Sequence, residues 1–234
     1  MRAALSFLTS FGGASTPTPK AVRWFPAVGL FLGIALGGAW RGAEELWPPA
    51  VAAAIVVALD LALTGMLHFD GLVDSADGLL PHIDRERRLA VMQEPTVGAF
   101  GIGVAGIVLL LRWAALASMP ADIWLLAGLW CLSRTVMVGV MDTLRYARPA
   151  GLASAFEDAP GSSVVIGLGG LVGALFVGAA IGWPGYLVFI ATVTTAVAVA
   201  TLSARRLGGF TGDVLGAAAV LAETVGLLVA AAKW

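Results

Sequence analysis

The sequence predicts an all-α integral membrane bundle of about seven crossing helices, amino terminus inside, forming one membrane-embedded domain over residues 1–234. Three observations carry that expectation. Of the 234 residues, 59% are hydrophobic and 12% charged, where a soluble domain carries about a quarter charged residues. Apolar stretches close to the ~20 residues a crossing helix needs recur along the whole chain. And every other connection between those stretches is basic, which is how cytoplasmic loops are marked.

The opening stretch MRAALSFLTSFG is too short to cross and reads as an interfacial helix. The first long apolar run begins only after Arg23 and many follow, so nothing reads as a removed signal peptide. Crossing segments then fall at roughly 24–40, 50–68, 98–118, 121–142, 163–182, 184–203 and 211–232. The turns at Ser118, Met119, Pro120 and at Trp183, Pro184 are so short that the helices they join should be antiparallel neighbours. Lys20 and Arg23 precede the first segment. Arg85, Arg87 and Arg88 lie in the second connection, Arg145 and Arg148 in the fourth, Arg205 and Arg206 in the sixth. The alternate connections hold Arg41, beside Glu44 and Glu45, and no other cation before Lys233. The polar loops therefore share one face and can converge over one cavity. Gly103, Gly106, Gly167, Gly170 and Gly173 read as helix-packing positions.

A net charge of −1 gives no global field to recruit nucleic acid, so any electrostatic function is local. The single cysteine, Cys131, excludes an intrachain disulfide and a cysteine metal cluster.

Residues 68–80, HFDGLVDSADGLL, place three acids at the end of the second apolar run. If that helix continues straight at about 100° per residue, Asp70, Asp74 and Asp77 project within roughly 60° of one another. Carboxylates so close repel unless a cation sits among them. Oxygen ligands suit a hard ion, and magnesium takes one or two carboxylates with water and substrate phosphates. Gly71 and Gly78 leave bare backbone where a neighbouring helix or a ligand can approach. Asp60, deeper in the same helix, would point about 40° from Asp74, as a further ligand or, more simply, a packing residue. His68 would point roughly opposite to Asp70 and reaches a ligand only if the helix bends.

Downstream, Asp84 caps a short helix holding Arg85, Arg87 and Arg88, cations for phosphate or for anionic headgroups; Pro95 and Gly98 end it. Arg134 lies well inside an apolar helix, where a charge marks function or pairs with an acid such as Asp142 or Asp60. Gly208, Gly209, Gly212 and Asp213 stand at a helix amino terminus; Asp213 either caps or joins the acidic site. Glu223 lies about 15 Å deeper. Clustered acids, a hard cation and arginines in an apolar setting suit phosphoryl or nucleotidyl transfer.

The segments TGMLHFDGLVDSADGLL, RERRLAVMQEPTVGAFG, LSR followed by RYARPAGL, and LGGFTGDVLGAA resemble those of the cobalamin synthases, the adenosylcobinamide-GDP ribazoletransferases, from about residue 5 to residue 232. The resemblance implies a polytopic inner-membrane enzyme with its site facing the cytoplasm. It would join adenosylcobinamide-GDP to α-ribazole or α-ribazole 5′-phosphate, use Mg2+ and release GMP. Asp70, Asp74 and Asp77 would hold magnesium on the diphosphate, with Asp77 or Asp74 as the base. Arg134, Arg145 and Arg148 would clamp phosphates, and Asp213 matches the acid of the terminal TGD. Membrane lipid is the implied surrounding, and a homo-oligomer is compatible with the sequence. The chain departs from the family at Thr9, Ser10, Phe11, Gly12 and at Glu94, Pro95, Thr96, where two cations are missing, and at Val220, where an acid is common.

Two other readings compete. The DG, D, DG spacing also resembles the CDP-alcohol phosphotransferases, but Val73 and Asp74 stand where that family has alanine and arginine. A cation transporter would hold its acids at midplane rather than at one mouth.

Overall fold

Apolar surface buried between helices, and backbone polar groups satisfied within them, dictate the architecture. The computed structural model describes residues 1–11, 13, 15–156 and 159–234; Gly12 lies outside them. The described residues form the helices α1 (Arg2–Leu8), α2 (Phe25–Glu44), α3 (Pro49–Leu63), α4 (Leu67–Leu79), α5 (Arg85–Val91), α6 (Ala99–Ala117), α7 (Ile123–Thr143), α8 (Ser162–Ile181), α9 (Pro184–Leu207) and α10 (Gly212–Ala230). Two 3₁₀ segments, Pro19–Trp24 and Leu152–Phe156, complete them. Six helical spans are long and apolar enough to cross a membrane, and seven if α3 and α4 count as one.

Local chemistry sets the boundaries. Pro26, Pro49 and Pro184 stand in the first turns of α2, α3 and α9, where a missing N–H costs nothing. The side chains of Asp84, Asp122 and Thr211 cap α5, α7 and α10. Gly208 ends α9 in the left-handed region at φ 76°.

The second segment does not run straight. Gly65 and Met66 both adopt φ 58°, and α4 leaves α3 at 89°. Ser10 holds the corner: its N–H and hydroxyl both donate to the Leu63 carbonyl, at 2.9 and 3.2 Å. A serine hydroxyl thus occupies one of the positions at which the family's cation is missing. Because Asp60 ends up on α3, the 40° relation between it and Asp74 does not exist in the fold.

At the centre stands α7, buried from Leu125 through Thr135. It packs between α2 and α8 and also meets α9 and α10. A Cβ on Gly37 of α2 would come within 2.6 Å of the Ile123 backbone, and Gly29 and Gly33 touch α7 in the same way, two and one turns earlier. Of the glycines expected at helix contacts, Gly173 meets α7, whereas Gly103, Gly106, Gly167 and Gly170 have open space beside them. The fold therefore uses a different glycine stripe. Phe7, Phe25 and Phe156 stack edge and face, with centroids 4.7–5.7 Å apart, and bind α1 to the bundle.

The short connections fix direction but not always adjacency. α8 and α9 are packed neighbours, as expected, whereas α6 packs on α3, α4 and α10 and reaches toward α7 with Arg112, whose guanidinium lies over the Trp130 ring. Residues 118–122 reach far enough, about 3.4 Å each, to let α7 step into the centre. Glu44 holds that connection by accepting the Ala121 N–H.

Candidate active site

Where α4 crosses α10, each helix presents a glycine to the other's backbone. A Cβ on Gly71 would come within 2.8 Å of the Asp213 carbonyl, and one on Gly216 within 2.8 Å of the His68 carbonyl. This contact places the start of the aspartate helix directly against the start of α10. Two elements far apart in sequence thereby bring their acids together: Asp74 lies within electrostatic reach of Asp70, Asp213 and Asp77, and of Arg148.

The arginine arrives by a separate route. Phe210 N–H donates to the Arg145 carbonyl at 2.9 Å and Ala147 N–H to the Phe210 carbonyl at 2.8 Å, so residues 145–147 run beside 209–210. Gly209 leaves room for the Arg145 carbonyl, and the Tyr146 and Phe210 rings meet edge to face at 5.4 Å. That stitch delivers Arg148 to Asp213, which it pairs at 2.9 Å. The Thr211 hydroxyl also reaches the same Asp213 oxygen, at 3.2 Å. Thr211, rather than Asp213, is the capping residue of α10.

A cleft of about 200 Å³ opens here, bordered by His68, Asp70, Tyr146, Arg148 and Asp213, with Phe7, Leu67, Met137 and Leu152 as apolar walls. Although His68 and Asp70 leave α4 on opposite sides, both border this cleft, at the helix's first turn just beyond the 89° corner. Asp70 is exposed, Asp74 half-buried and His68 buried.

Other sequence candidates lie elsewhere. Asp77 is buried and turned toward α6, where its two oxygens accept the N–H groups of Gly98 at 2.7 Å and Gly101 at 2.9 Å. The three aspartates share a helix face, as their spacing predicts, yet Asp77 serves as the anchor for another helix's free amides. Arg85 donates to the carbonyls of Leu207, at 2.7 Å, and Ala147, at 3.1 Å, closing the end of α9. Arg88, with Arg206, closes the end of α4 through the Leu79 carbonyl. Arg145 is exposed, and its contribution to the stitch is its backbone carbonyl.

Arg134 is 1% exposed and pairs with Glu223 at 2.7 Å, rather than with Asp142 or Asp60. Glu223 also binds Arg112 at 3.0 Å; Arg112 binds Asp60 at 2.9 Å, and Trp130 Nε1 donates to Asp60 at 2.9 Å. Two cations and two anions thus tie α3, α6, α7 and α10 together in the apolar interior, each charge compensated. Arg112 and Trp130 escaped the sequence reading. The signal was present, since Arg112 interrupts an apolar run in the same way as Arg134.

Among the described residues no group of three or more acidic, histidine or cysteine side chains closes around one point to hold a metal. The described residues therefore offer no preformed protein cage. Magnesium does not need one: a carboxylate or two, water and substrate phosphates suffice. Asp70 and Asp213, oxygen donors on one cleft, fit that partial donor set.

Comparison with known proteins identifies the family of the chain. The cobalamin-5-phosphate synthase family profile matches residues 1–231. Curated relatives named adenosylcobinamide-GDP ribazoletransferase are similar over nearly their full length. That of Bradyrhizobium diazoefficiens is 36% identical over 99% of this chain and 93% of its own. That of Desulfitobacterium hafniense is 36% identical over 96% and 93%, and that of Pseudomonas aeruginosa 37% identical over 97% and 96%. No solved structure matches. With a profile match over almost every residue and relatives above 35% identity, the chain belongs to the cobalamin-5-phosphate synthase family.

Proposed function

We propose that this protein joins adenosylcobinamide-GDP to α-ribazole or α-ribazole 5′-phosphate and releases GMP, as the names of its relatives suggest. The observation that carries the reading is the meeting of Asp70, Asp213 and Arg148 on one cleft, with Asp74 beside them. A hydroxyl oxygen of the acceptor bonds to the phosphorus nearer the cobinamide, the bond from that phosphorus to the GMP oxygen breaks, and the hydroxyl proton leaves.

Asp70 and Asp213 are the residues to hold magnesium. When bound, the ion neutralises diphosphate charge and favours departure of GMP. Arg148 reaches the diphosphate from its place on Asp213, and Arg145, exposed nearby, contacts the same anion or its guanosine end. Asp74 takes the hydroxyl proton, since Asp77 already accepts two amides. Arg134, Arg85 and Asp77 act as positioning residues, holding the helices that carry the site.

The loops that build the cleft are those with the basic excess. This supports an amino terminus inside, a cell-membrane location and a site open to the cytoplasm.

The test is GMP release from adenosylcobinamide-GDP with α-ribazole in detergent. We expect activity with magnesium, its loss in EDTA and its return on adding magnesium. Asp70→Asn should insert and fold but turn over at under 1% of the wild-type rate. Normal turnover by Asp70→Asn, or undiminished activity in EDTA, would refute the metal assignment.

A further inference from the structure

His68 is 4% exposed, and among the described residues neither of its ring nitrogens has a hydrogen-bond partner. Buried polar atoms are nearly always satisfied, and an orphan calls for an explanation. This one borders the cleft, where Arg148 and Asp213 already bind each other. A neutral imidazole offers one N–H donor and one acceptor. It is therefore a contact waiting for a molecule that enters the cleft.

Size and polarity narrow that molecule. A cleft of about 200 Å³ has room for roughly seven waters, hence for one flat bicyclic ring and not for a corrin macrocycle. Guanine, with donors and acceptors along two edges, needs several partners at once, and beside His68 the cleft offers only Gln93, Tyr146, Asp70 and the already paired Arg148 and Asp213 among its apolar side chains. The benzimidazole base of ribazole is apolar apart from one free ring nitrogen. The unpartnered His68 N–H in a cleft with Phe7, Leu67, Met137 and Leu152 matches one acceptor on an apolar ring.

We propose that the cleft seats the base of the acceptor nucleoside, with the His68 imidazole N–H donating to the free ring nitrogen of its benzimidazole. The assignment rests on the ribazoletransferase reading and adds the subsite and the contact that recognises the acceptor. Its ribose then lies at the cleft's mouth toward the exposed Asp70, where the diphosphate must come. The corrin stays outside.

Titration calorimetry on the full-length protein in detergent tests this with two probes: α-ribazole, and the matching nucleoside of 5,6-dimethylindole, in which C–H replaces the ring nitrogen. Wild type should bind α-ribazole about tenfold more tightly than the indole nucleoside, the worth of one net hydrogen bond. His68→Phe should bind the two within twofold of each other. At least one of His68→Asn and His68→Gln, whose amides can still donate, should restore part of the preference. Equal binding of the two probes by wild type overturns the proposal without any variant, as does a tenfold preference retained in His68→Phe or no detectable α-ribazole binding. GMP release, measured separately, decides the underlying reading: an active enzyme with no nitrogen preference loses only the contact, whereas an inactive one loses the reaction.

Discussion

Replacing Asp77 separates an anchor from a metal ligand. Asp77 is 7% exposed, and each of its oxygens accepts one amide of the first turn of α6. Hydrogen bonds to a charged partner contribute about 1.5–3 kcal/mol each. Gly98 is partly exposed, so water recovers some of the loss there. Asp77→Ala should then cost about 3 kcal/mol, and Asp77→Asn, which keeps one acceptor, about 1 kcal/mol. At about 2–4 °C per kcal/mol for a chain of this size, the alanine variant should lose about 6–12 °C of apparent Tm. Asp70 is exposed, so Asp70→Asn should melt within about 0.5 kcal/mol of wild type while losing turnover. The assay pairs thermal unfolding in detergent with GMP release. An Asp77→Ala protein that melts with wild type yet is as inactive as Asp70→Asn would refute the anchor and return Asp77 to the metal.

Other expectations follow from the same packing. Glu223→Gln leaves Arg112 and Arg134 without a full countercharge in an apolar interior, and should cost about 3 kcal/mol or more; a wild-type melting curve would show that the network contributes no stability. Gly71→Ala and Gly216→Ala each push a methyl group into the opposing backbone. Each should cut GMP release by more than tenfold, whereas Gly103→Ala and Gly167→Ala, with open space beside them, should stay within twofold; equal effects in all four would count against the crossing as the device that sets the site. Arg148→Ala removes the cation from Asp213 and should raise the KM for adenosylcobinamide-GDP about tenfold or more, with an unchanged KM overturning the phosphate contact.

Much of the fold was legible because lipid permits few solutions. Six of the seven apolar runs became single helices within a few residues of their expected limits, the second broke into α3 and α4, and Asp84 and the Gly98 boundary appeared where cap chemistry put them. Other features depended on partners that periodicity cannot name. No local signal in GMLHF announces two consecutive left-handed residues at Gly65 and Met66, a corner that Ser10, distant in sequence, braces through the Leu63 carbonyl. The glycines that touch other helices, Gly29, Gly33 and Gly37, look no different in sequence from Gly103 and Gly106, which touch nothing. For Arg134, burial and pairing were foreseeable, but the identity of its acid was not.

By itself the sequence determined the crossing helices, the basic loops gathered on one side and the helix face shared by Asp70, Asp74 and Asp77, because hydrophobic length, charge bias and the turn of an α-helix are local properties. Tertiary structure alone decided which of those acids reach the cleft. The 89° corner and the glycine crossing bring Asp70 and Asp74 to Asp213, while Asp77 turns to the free amides of α6. The physical reason is that a carboxylate goes to the strongest unsatisfied partner nearby, and which partner is nearby depends on how segments distant in the chain pack.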